Sequence, residues 1–251
     1  MDLIDLLKRF GRRLVPLNPS ALPVGRSWRV DVPRYLGTAR PIRTVFDVGA
    51  NEGQSSIVFH EMFPGAQVHA FEPFPATYEK LRQNVVHLPR VKPYALGLSD
   101  RTSESELNVS TQESSLNSLL GQGREYVWSE TAPLESKVKV QLSTLDSFCQ
   151  EQKIAEIDFL KIDVQGVEHL VLKGASQMLA RGAIRVIRLE VLFVQLYEGQ
   201  ASFHELLKTM AASNMAFCGL YDLVYQENRR LAWGDALFVQ EGLLPFQAIK
   251  K

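Results

Sequence analysis

The sequence has few cysteines, no excess of either charge and no long hydrophobic run. Its 251 residues include only two cysteines, Cys149 and Cys218, which are too few for a disulfide-stapled fold and favour a reducing, cytoplasmic compartment. The 28 basic residues balance the 28 acidic ones, whereas proteins that bind nucleic acids usually carry a basic excess. No apolar run reaches the ~20 residues that cross a bilayer. We therefore expect neither a nucleic-acid-binding nor a membrane-spanning protein.

The composition predicts a globular chain with a sizeable core, since hydrophobic residues make up 45% and charged residues 22%. Residues 1–42 differ from the rest. Residues 1–15 predict a short amphipathic helix, a candidate contact between copies of the chain, and the prolines that follow predict an extended connector. A single domain is expected over residues 43–251.

Strands and helices alternate from residue 43 onward. Strands are predicted over residues 44–48, 67–71, 91–96, 157–162, 184–189, 215–225 and 236–240. The last two are close enough in sequence to pair antiparallel. Residues 98–142 interrupt the alternation, and we expect them to form an insertion, or lid, over the functional site. The pattern predicts an α/β fold with a seven-stranded, mostly parallel Rossmann-like sheet that has helices on both faces.

Acidic residues stand at the ends of four predicted parallel strands. They are Asp47, Glu72, Asp163 and Glu190. In open α/β sheets, ligands bind beyond the carboxyl ends of the strands, where the strand order reverses. These four side chains are therefore candidates for one shared site.

The turn after the first strand, DVGANEG, suits a charged nucleoside better than a dinucleotide. Its glycines, Gly49 and Gly53, have G-x-x-x-G spacing, which lacks the middle glycine of the dinucleotide fingerprint and the Gly-Lys-Ser/Thr of a P-loop. Asp47 would repel a pyrophosphate but attract an ammonium or sulfonium group. Glu72 could accept both hydroxyls of a ribose, although a plain tight turn and a solvated strand end would explain the same residues.

Several strings, in this order, resemble the FkbM family of S-adenosylmethionine-dependent methyltransferases over about residues 43–200. The strings are FDVGANEGQSS, FEPFPATYEKL, ALGLSD, STLDSF and DFLKIDVQGVEHLVLKGA. The resemblance implies a class I methyltransferase fold, S-adenosylmethionine as methyl donor, and O-methylation of a hydroxyl on a sugar or natural-product acceptor.

The resemblance also implies a set of cofactor-binding residues. They are Asp47, Gly49, Ala50, Asn51 and Gly53 around the methionine end, Glu72 and Pro73 at the ribose, Ala95, Leu96 and Gly97 near the adenine, Ser115 in the insertion, and Asp163. Family members often have an acid directly after their ALG, whereas two residues here separate Gly97 from Asp100, which weakens the case for a contact between Asp100 and the adenine.

Asp163 and Glu190 are the candidate catalytic residues. A carboxylate at the end of the central strand could take a proton from an acceptor hydroxyl, and Asp163 could instead hold the cofactor or cap the next helix. Both carboxylates could ligate a divalent metal, but no motif requires one. Tyr126 and Trp128 are candidates for an acceptor pocket or for packing of the insertion. Lys161 is unexpected inside an apolar strand.

Two other functions fit parts of the pattern. A nicotinamide-dependent oxidoreductase would share the alternating strands and Glu72, but Asp47 and the missing glycine argue against it. A module that keeps the fold without turnover is disfavoured because Asp47, Glu72 and Asp163 are all present. The sequence does not identify the acceptor.

Overall fold

A computed structural model describes residues 22–37 and 40–244 of the chain. The helix predicted for residues 1–15, and with it the candidate contact between copies, lies outside the described residues. The strands are Thr44–Val48 (β1), Gln67–Phe71 (β2), Val91–Tyr94 (β3), Gly97–Leu98 (β4), Ser103–Val109 (β5), Ser136–Ser143 (β6), Ile157–Ile162 (β7), Ile184–Leu192 (β8), Met215–Tyr225 (β9) and Leu231–Gln240 (β10). The helices are Trp28–Leu36 (α1), Gln54–Met62 (α2), Pro75–Val85 (α3), Leu145–Glu151 (α4), Glu168–Lys173 (α5), Ser176–Ala180 (α6) and Phe203–Ala212 (α7).

Seven strands form one sheet in the order β3-β2-β1-β7-β8-β10-β9. The first five are parallel, and β10 runs antiparallel to both of its neighbours. The predicted seven-stranded, mostly parallel α/β sheet is therefore confirmed. The chain leaves β1 toward β2 and β3, and later leaves β7 toward β8 on the other side. The strand order thus reverses between β1 and β7, where this architecture binds its ligands.

Both faces of the sheet are covered by helices, which is why its central strands are mostly apolar and buried on both sides. All six residues of β7 are buried. On one face Phe46 packs edge-to-face against Phe148 of α4, with ring centroids 5.7 Å apart. On the other face Phe159 packs in the same way against Phe59 of α2, at 5.2 Å. The sheet therefore separates two hydrophobic cores.

The predicted extended connector instead contains the helix α1, so this expectation was wrong for residues 28–36. Trp28, Val32 and Leu36 are buried in the same core as Val45 of β1. Pro33 lies inside the helix, where it removes one backbone hydrogen bond. Burial of the apolar face offsets that loss. The core consequently begins before residue 43, where the domain boundary was expected.

The insertion contains a second sheet of three strands in the order β4-β6-β5. Its two longer strands, β5 and β6, pair antiparallel. The two-residue strand β4 was not predicted, because so short a segment shows no periodicity. It pairs parallel to β6 through Gly97 with Leu142 and Leu98 with Ser143. This pairing attaches the insertion to the segment that follows β3.

The strand β8 extends three residues beyond its predicted end at Leu189. Its last residues pair with β10, Val191 opposite Gly234 and Leu192 opposite Trp233. Glu190 therefore lies within the strand rather than at its end. The length of β8 is set by its pairing with β10, which is distant in the sequence, so the local hydrophobic pattern does not predict where β8 ends.

The buried carboxylate of Asp158 fixes the segment that enters β1. It accepts hydrogen bonds from the backbone N–H groups of Arg43 (2.7 Å) and Thr44 (3.0 Å) and from the guanidinium of Arg185 (3.0 Å). Asp158 and Arg185 are both more than 90% buried. A buried ion pair with additional hydrogen bonds is costly to break from one side, since the remaining charge loses its partner.

We expect Asp158→Ala to lower the free energy of unfolding by about 3–5 kcal/mol, because it leaves the buried Arg185 without its carboxylate. The measurement is urea denaturation followed by circular dichroism. The matched control is Glu156→Ala, which removes an exposed carboxylate that pairs with Arg40 and should cost less than about 1 kcal/mol. Equal losses in the two variants would contradict the structural role assigned to Asp158.

Candidate active site

A crevice opens beyond the carboxyl ends of β1 and β7, at the point where the strand order reverses. It encloses about 740 Å³ of non-protein space, including the part open to solvent. Its walls contain Gly49 and Asn51 after β1, Glu72 and Pro73 after β2, Gly97 and Leu98 of β4, Ser114, Ser115, Asn117 and Leu119 of the insertion, and Asp163, Val164 and Gln165 after β7. This mixture of apolar and polar walls is typical of a small-molecule site.

The glycine turn brings the chain against the end of β7. Gly49 has φ +75°, and a Cβ there would lie 1.8 Å from the carbonyl oxygen of Asp163, so only glycine fits. Gly53 is required for a different reason: a Cβ there would come within 2.9 Å of the side chain of Leu81. Gly53 therefore permits packing between α2 and α3. Neither Gly53 nor the buried Ala50 lines the crevice.

Asp47 and Lys161 form a buried ion pair beneath the turn. The Lys161 Nζ lies 3.2 Å from Oδ1 of Asp47 and 3.4 Å from Oδ2 of Asp163, and it donates a hydrogen bond to the carbonyl oxygen of Gly49 at 2.8 Å. The other oxygen of Asp47 accepts a hydrogen bond from Ser56 at 2.6 Å. Burial alone would lower the pKa of Lys161, but the two carboxylates raise it to about 12.

This arrangement differs from the expectation that Asp47 would face a cation of the ligand. Asp47 is fully buried and does not line the crevice, and its cationic partner is Lys161 of the protein itself. The ion pair also explains why a lysine stands in the otherwise apolar strand β7. Sequence reasoning had no account of that lysine, because the partner of a side chain across two strands depends on their register.

Glu72 lies at the end of β2 with its carboxylate buried in the crevice wall. Oε2 accepts the N–H of Asn51 at 3.0 Å, and Oε1 accepts the N–H of Phe74 at 2.9 Å. Burial raises the pKa of Glu72 to about 7, although the two backbone N–H groups act in the opposite direction. Each carboxylate oxygen keeps a further lone pair, so Glu72 can still accept two hydrogen bonds from a ligand.

The segment predicted to lie near an adenine contributes only part of what was expected. Gly97 lines the crevice, and so does Leu98, which was not predicted. Ala95 is exposed and Leu96 packs against the core, so neither lines the crevice. Asp100 also lies outside it and pairs with Lys173 at 2.9 Å. The residues of this segment that line the crevice are the two that form the strand β4, Gly97 and Leu98, rather than the predicted Ala95, Leu96 and Gly97.

Asp163 and Glu190 are joined by one side-chain amide, that of Gln165. Its Nε2 donates hydrogen bonds to Oδ1 of Asp163 at 2.9 Å and to Oε2 of Glu190 at 3.0 Å. Its Oε1 accepts a hydrogen bond from the hydroxyl of Tyr197 at 2.7 Å. The structure thus brings the two predicted catalytic carboxylates together. Sequence reasoning missed Gln165, since a glutamine in a loop carries no signal of its own.

The two carboxylates differ in their charge environment. Asp163 has Lys161 at 3.4 Å, whereas no arginine, lysine or histidine within residues 22–37 and 40–244 forms an ion pair with Glu190. Burial raises the pKa of Glu190 well above its ordinary value, and the nearby carboxylates of Asp163, Glu168 and Asp235 act in the same direction. Glu190 therefore holds a proton more readily than an ordinary exposed glutamate does.

Glu168 holds the loop that carries Gln165. Its Oε1 accepts the N–H groups of Val164 at 3.1 Å and Gly166 at 3.2 Å, and the residue is 2% exposed. Burial raises its pKa to about 7. This bonding gives Glu168 a structural role.

The insertion contacts the crevice through its 3-10 turn and is tied to Gln165. The hydroxyl of Ser118 donates to the carbonyl oxygen of Gln165 at 2.6 Å. Ser114 donates to the side chain of Asn51 at 3.1 Å. Tyr126 is buried, donates to the carbonyl oxygen of Ala132 and packs against Tyr197, so it packs the insertion onto the domain rather than lining the crevice.

Within the part of the chain that the structure describes, no group of three or more histidine, cysteine, aspartate or glutamate side chains could hold a metal ion. None of the helices in those same residues has the length and apolar character needed to cross a bilayer.

Comparison with known proteins gives consistent matches. The family model described as the methyltransferase FkbM domain matches residues 47–219. The chain is 29% identical over 177 residues to the 2-O-methyltransferase NoeI of Sinorhizobium fredii, covering 67% of this chain and 71% of that protein. It is 29% identical over 158 residues to the 31-O-demethyl-FK506 methyltransferase FkbM of Streptomyces tacrolimicus, covering 55% of this chain and 61% of that protein.

Among solved structures, TrmK of M. capricolum in complex with S-adenosylhomocysteine matches 85% of this chain and 68% of that chain, with 9% identity and a TM-score of 0.43. The family match covers more than half of the sequence and includes the glycine turn, Glu72, the carboxylate pair and the insertion. The resemblance carried by the sequence motifs is confirmed: this chain belongs to the FkbM family and is an S-adenosylmethionine-dependent methyltransferase.

Proposed function

We propose that this enzyme transfers the methyl group of S-adenosylmethionine to a hydroxyl of a sugar or natural-product acceptor. The observation that carries the proposal is that one crevice is lined both by Glu72, a buried acceptor of hydrogen bonds, and by Asp163, which is joined to Glu190. The first suits a nucleoside, and the second suits removal of a proton from an alcohol. The curated relatives NoeI and FkbM are named as a 2-O-methyltransferase and a 31-O-demethyl-FK506 methyltransferase, which supports a hydroxyl acceptor here.

The residues present fit the cofactor. Glu72 has two lone pairs left for the hydroxyls of a ribose, and Pro73 lies beside it in the wall. Phe71, Leu98 and Leu142 give the crevice an apolar side that suits a flat adenine. Gly49, Asn51 and Ser115 would border the methionine end and the entrance. When bound, S-adenosylmethionine supplies a methyl group activated by its sulfonium charge.

Asp47, Ala50 and Gly53 act on the cofactor site indirectly in this proposal. The ion pair of Asp47 with Lys161 keeps the ammonium under the turn, where it holds the carbonyl of Gly49. Gly53 allows α2 to start directly after the turn. These residues shape the backbone that surrounds the ligand rather than touching it.

We assign proton acceptance to Glu190 and orientation of the acceptor to Asp163. Lys161 and Gln165 contact the two oxygens of Asp163 and hold the carboxylate in place, which suits a fixed hydrogen-bond acceptor. Glu190 lacks an ion pair within the described residues, and burial raises its pKa, so it takes up a proton from an alcohol more readily. Positioning of the hydroxyl by the two carboxylates supplies most of the acceleration that this chain's residues can offer.

The alternatives are less well supported. A nicotinamide-dependent oxidoreductase is not favoured, because the family match covers the glycine turn and the acids at the strand ends. A protein that kept this fold but had no catalytic activity would not need two carboxylates bridged by Gln165. The scheme uses no metal ion. A cytoplasmic location stays a proposal that rests on two free cysteines, and association through residues 1–15 also stays a prediction.

We expect Glu72→Ala to weaken binding of S-adenosylhomocysteine by about 1–3 kcal/mol, because a buried pair of ribose hydroxyls loses its acceptor. Isothermal titration calorimetry measures the change. The control is Glu52→Ala, whose carboxylate pairs with Lys80 and does not line this crevice. Unchanged affinity in Glu72→Ala would remove the ribose assignment.

The affinity for S-adenosylhomocysteine should also depend on pH through Glu72. The pKa of this carboxyl is raised to about 7, so its stronger hydrogen-bond-accepting, ionised form appears as pH rises through 7. Between pH 6 and pH 8 the affinity should increase by up to about tenfold. Glu72→Gln, which cannot ionise, should abolish that dependence. A slope that persists in Glu72→Gln would have to come from another group.

Glu190→Gln should lower the methylation rate by about 100-fold or more while leaving the affinity for S-adenosylhomocysteine within about threefold. Asp163→Asn should reduce both, because Asp163 lines the cofactor crevice. Release of S-adenosylhomocysteine is measured over a panel of sugars and natural-product alcohols. If Asp163→Asn lost turnover alone and Glu190→Gln lost affinity, the two roles would be exchanged. No release with any alcohol, despite cofactor binding, would contradict the proposed O-methylation.

A further inference from the structure

A shallow aromatic pocket lies outside the cofactor crevice and has no part in the roles assigned so far. Four separate segments form it: Val127 and Trp128 of the insertion, Leu196 after β8, Tyr225 at the end of β9, and Trp233 of β10. Gln226, Glu227 and Asn228 of the β9–β10 turn supply its polar rim. We call these eight residues the outer pocket.

The aromatic rings of the outer pocket are packed together yet remain accessible. The indoles of Trp128 and Trp233 contact each other with ring centroids 5.5 Å apart and planes inclined by 51°. Tyr225 is 57% exposed, the largest exposure of any aromatic residue among the exposed large hydrophobic side chains. Trp128 and Trp233 are half-buried and Tyr225 is exposed, and aromatic side chains with an accessible edge beside polar groups are common at binding surfaces.

The outer pocket lies on the same face of the sheet as the carboxylate pair. In the pairing of β10 with β8, Trp233 stands opposite Leu192 and Asp235 stands opposite Glu190. Two residues along a strand span about 6–7 Å and point to the same face. Trp233 therefore lies about 6–7 Å along β10 from Asp235, the residue that pairs opposite Glu190.

Ring contacts also connect the outer pocket to the amide that holds the carboxylates. Trp128 packs edge-to-face on Tyr126 at 5.6 Å, and Tyr126 packs in the same way on Tyr197 at 5.8 Å. The hydroxyl of Tyr197 donates to Gln165. The position of Trp128 is thus fixed relative to the reacting end of the site.

We propose that the outer pocket is an acceptor subsite that binds a ring of a neutral glycan, with the sugar face stacked on Trp128, Tyr225 and Trp233. Gln226, Glu227 and Asn228 accept and donate the hydrogen bonds that sugar hydroxyls require. The inference rests on the proposed O-methylation and specifies the class of acceptor. A second ring of the same glycan would then present its hydroxyl to the carboxylate pair.

The chemistry of the outer pocket selects among acceptors. None of the residues that line it is a lysine or arginine, so a phosphorylated or carboxylated ligand would find no cation in its walls. A fully apolar acceptor is better served by an enclosed cavity, whereas this pocket is open and has amides and a carboxylate along its rim. Flat aromatic faces beside polar groups match the C–H face and the hydroxyl edge of a sugar ring.

Intrinsic tryptophan fluorescence tests the inference directly. Two of the protein's three tryptophans lie in the outer pocket, and the third, Trp28, is buried beneath Arg188. The protein, saturated with S-adenosylhomocysteine, is titrated with neutral mono- to tetrasaccharides of hexose, 6-deoxyhexose and N-acetylhexosamine units. At least one saccharide should give a saturable change, and Tyr225→Ala should weaken that binding by about tenfold.

Control variants separate stacking from loss of structure. Phe217→Ala removes another exposed aromatic residue of β9, outside the outer pocket, and should leave saccharide binding unchanged. Trp128→Ala should abolish the saturable change without altering the affinity for S-adenosylhomocysteine, which reports that the domain is folded. For every variant, calorimetry with S-adenosylhomocysteine is run in parallel.

The outcomes distinguish this inference from the proposed function. If S-adenosylhomocysteine binds but no saccharide changes the fluorescence, the glycan subsite is overturned and the methyltransferase assignment stands. Binding that survives both Tyr225→Ala and Trp128→Ala, or a response only to an apolar macrocyclic alcohol, overturns it as well. Failure to bind S-adenosylhomocysteine would overturn the proposed function, and this inference with it.

Discussion

The buried ammonium of Lys161 is the interaction on which the site depends. It lies between the carboxylates of Asp47 on β1 and Asp163 after β7, and it donates to the carbonyl of Gly49 in the turn. These are the two strand ends between which the sheet order reverses. Removal of the lysine would leave a fully buried carboxylate without its cation, a change that typically costs several kcal/mol. One side chain therefore holds together the two strand ends that flank the crevice.

This constraint explains why the glycine turn is so tightly placed. Drawing the carbonyl of Gly49 toward Lys161 presses the turn against the end of β7, where no Cβ could be accommodated. The same contact leaves Asp163 at the crevice wall, with one oxygen toward the ammonium and the other toward Gln165. The crevice wall and the carboxylate pair are therefore linked, because Lys161 contacts both the Gly49 carbonyl in the turn and the carboxylate of Asp163.

The sequence predicted those features that depend on local periodicity and missed those set by distant pairing. The strands β1, β2 and β7 and the acids that follow them could be located, because apolar runs and their endings are visible in the chain. The partner of Asp47 could not, because strand register places Lys161 opposite it. Likewise, the extension of β8 past Glu190 depends on β10. The helix α1 was missed because burial of Trp28 outweighs the local effect of its proline.

A glutamine at position 165 suits the chemistry better than a charged residue would. An arginine bridging Asp163 and Glu190 would hold both carboxylates ionised, whereas a neutral amide offers two N–H donors without adding charge. Glu190 thereby keeps the raised pKa that burial gives it and can exchange a proton. The same glutamine accepts from Tyr197 and from Ser118 of the insertion. Tyr197 bonds to the side-chain oxygen of Gln165 and Ser118 to its backbone carbonyl, so this one uncharged residue contacts both the insertion and the carboxylate pair.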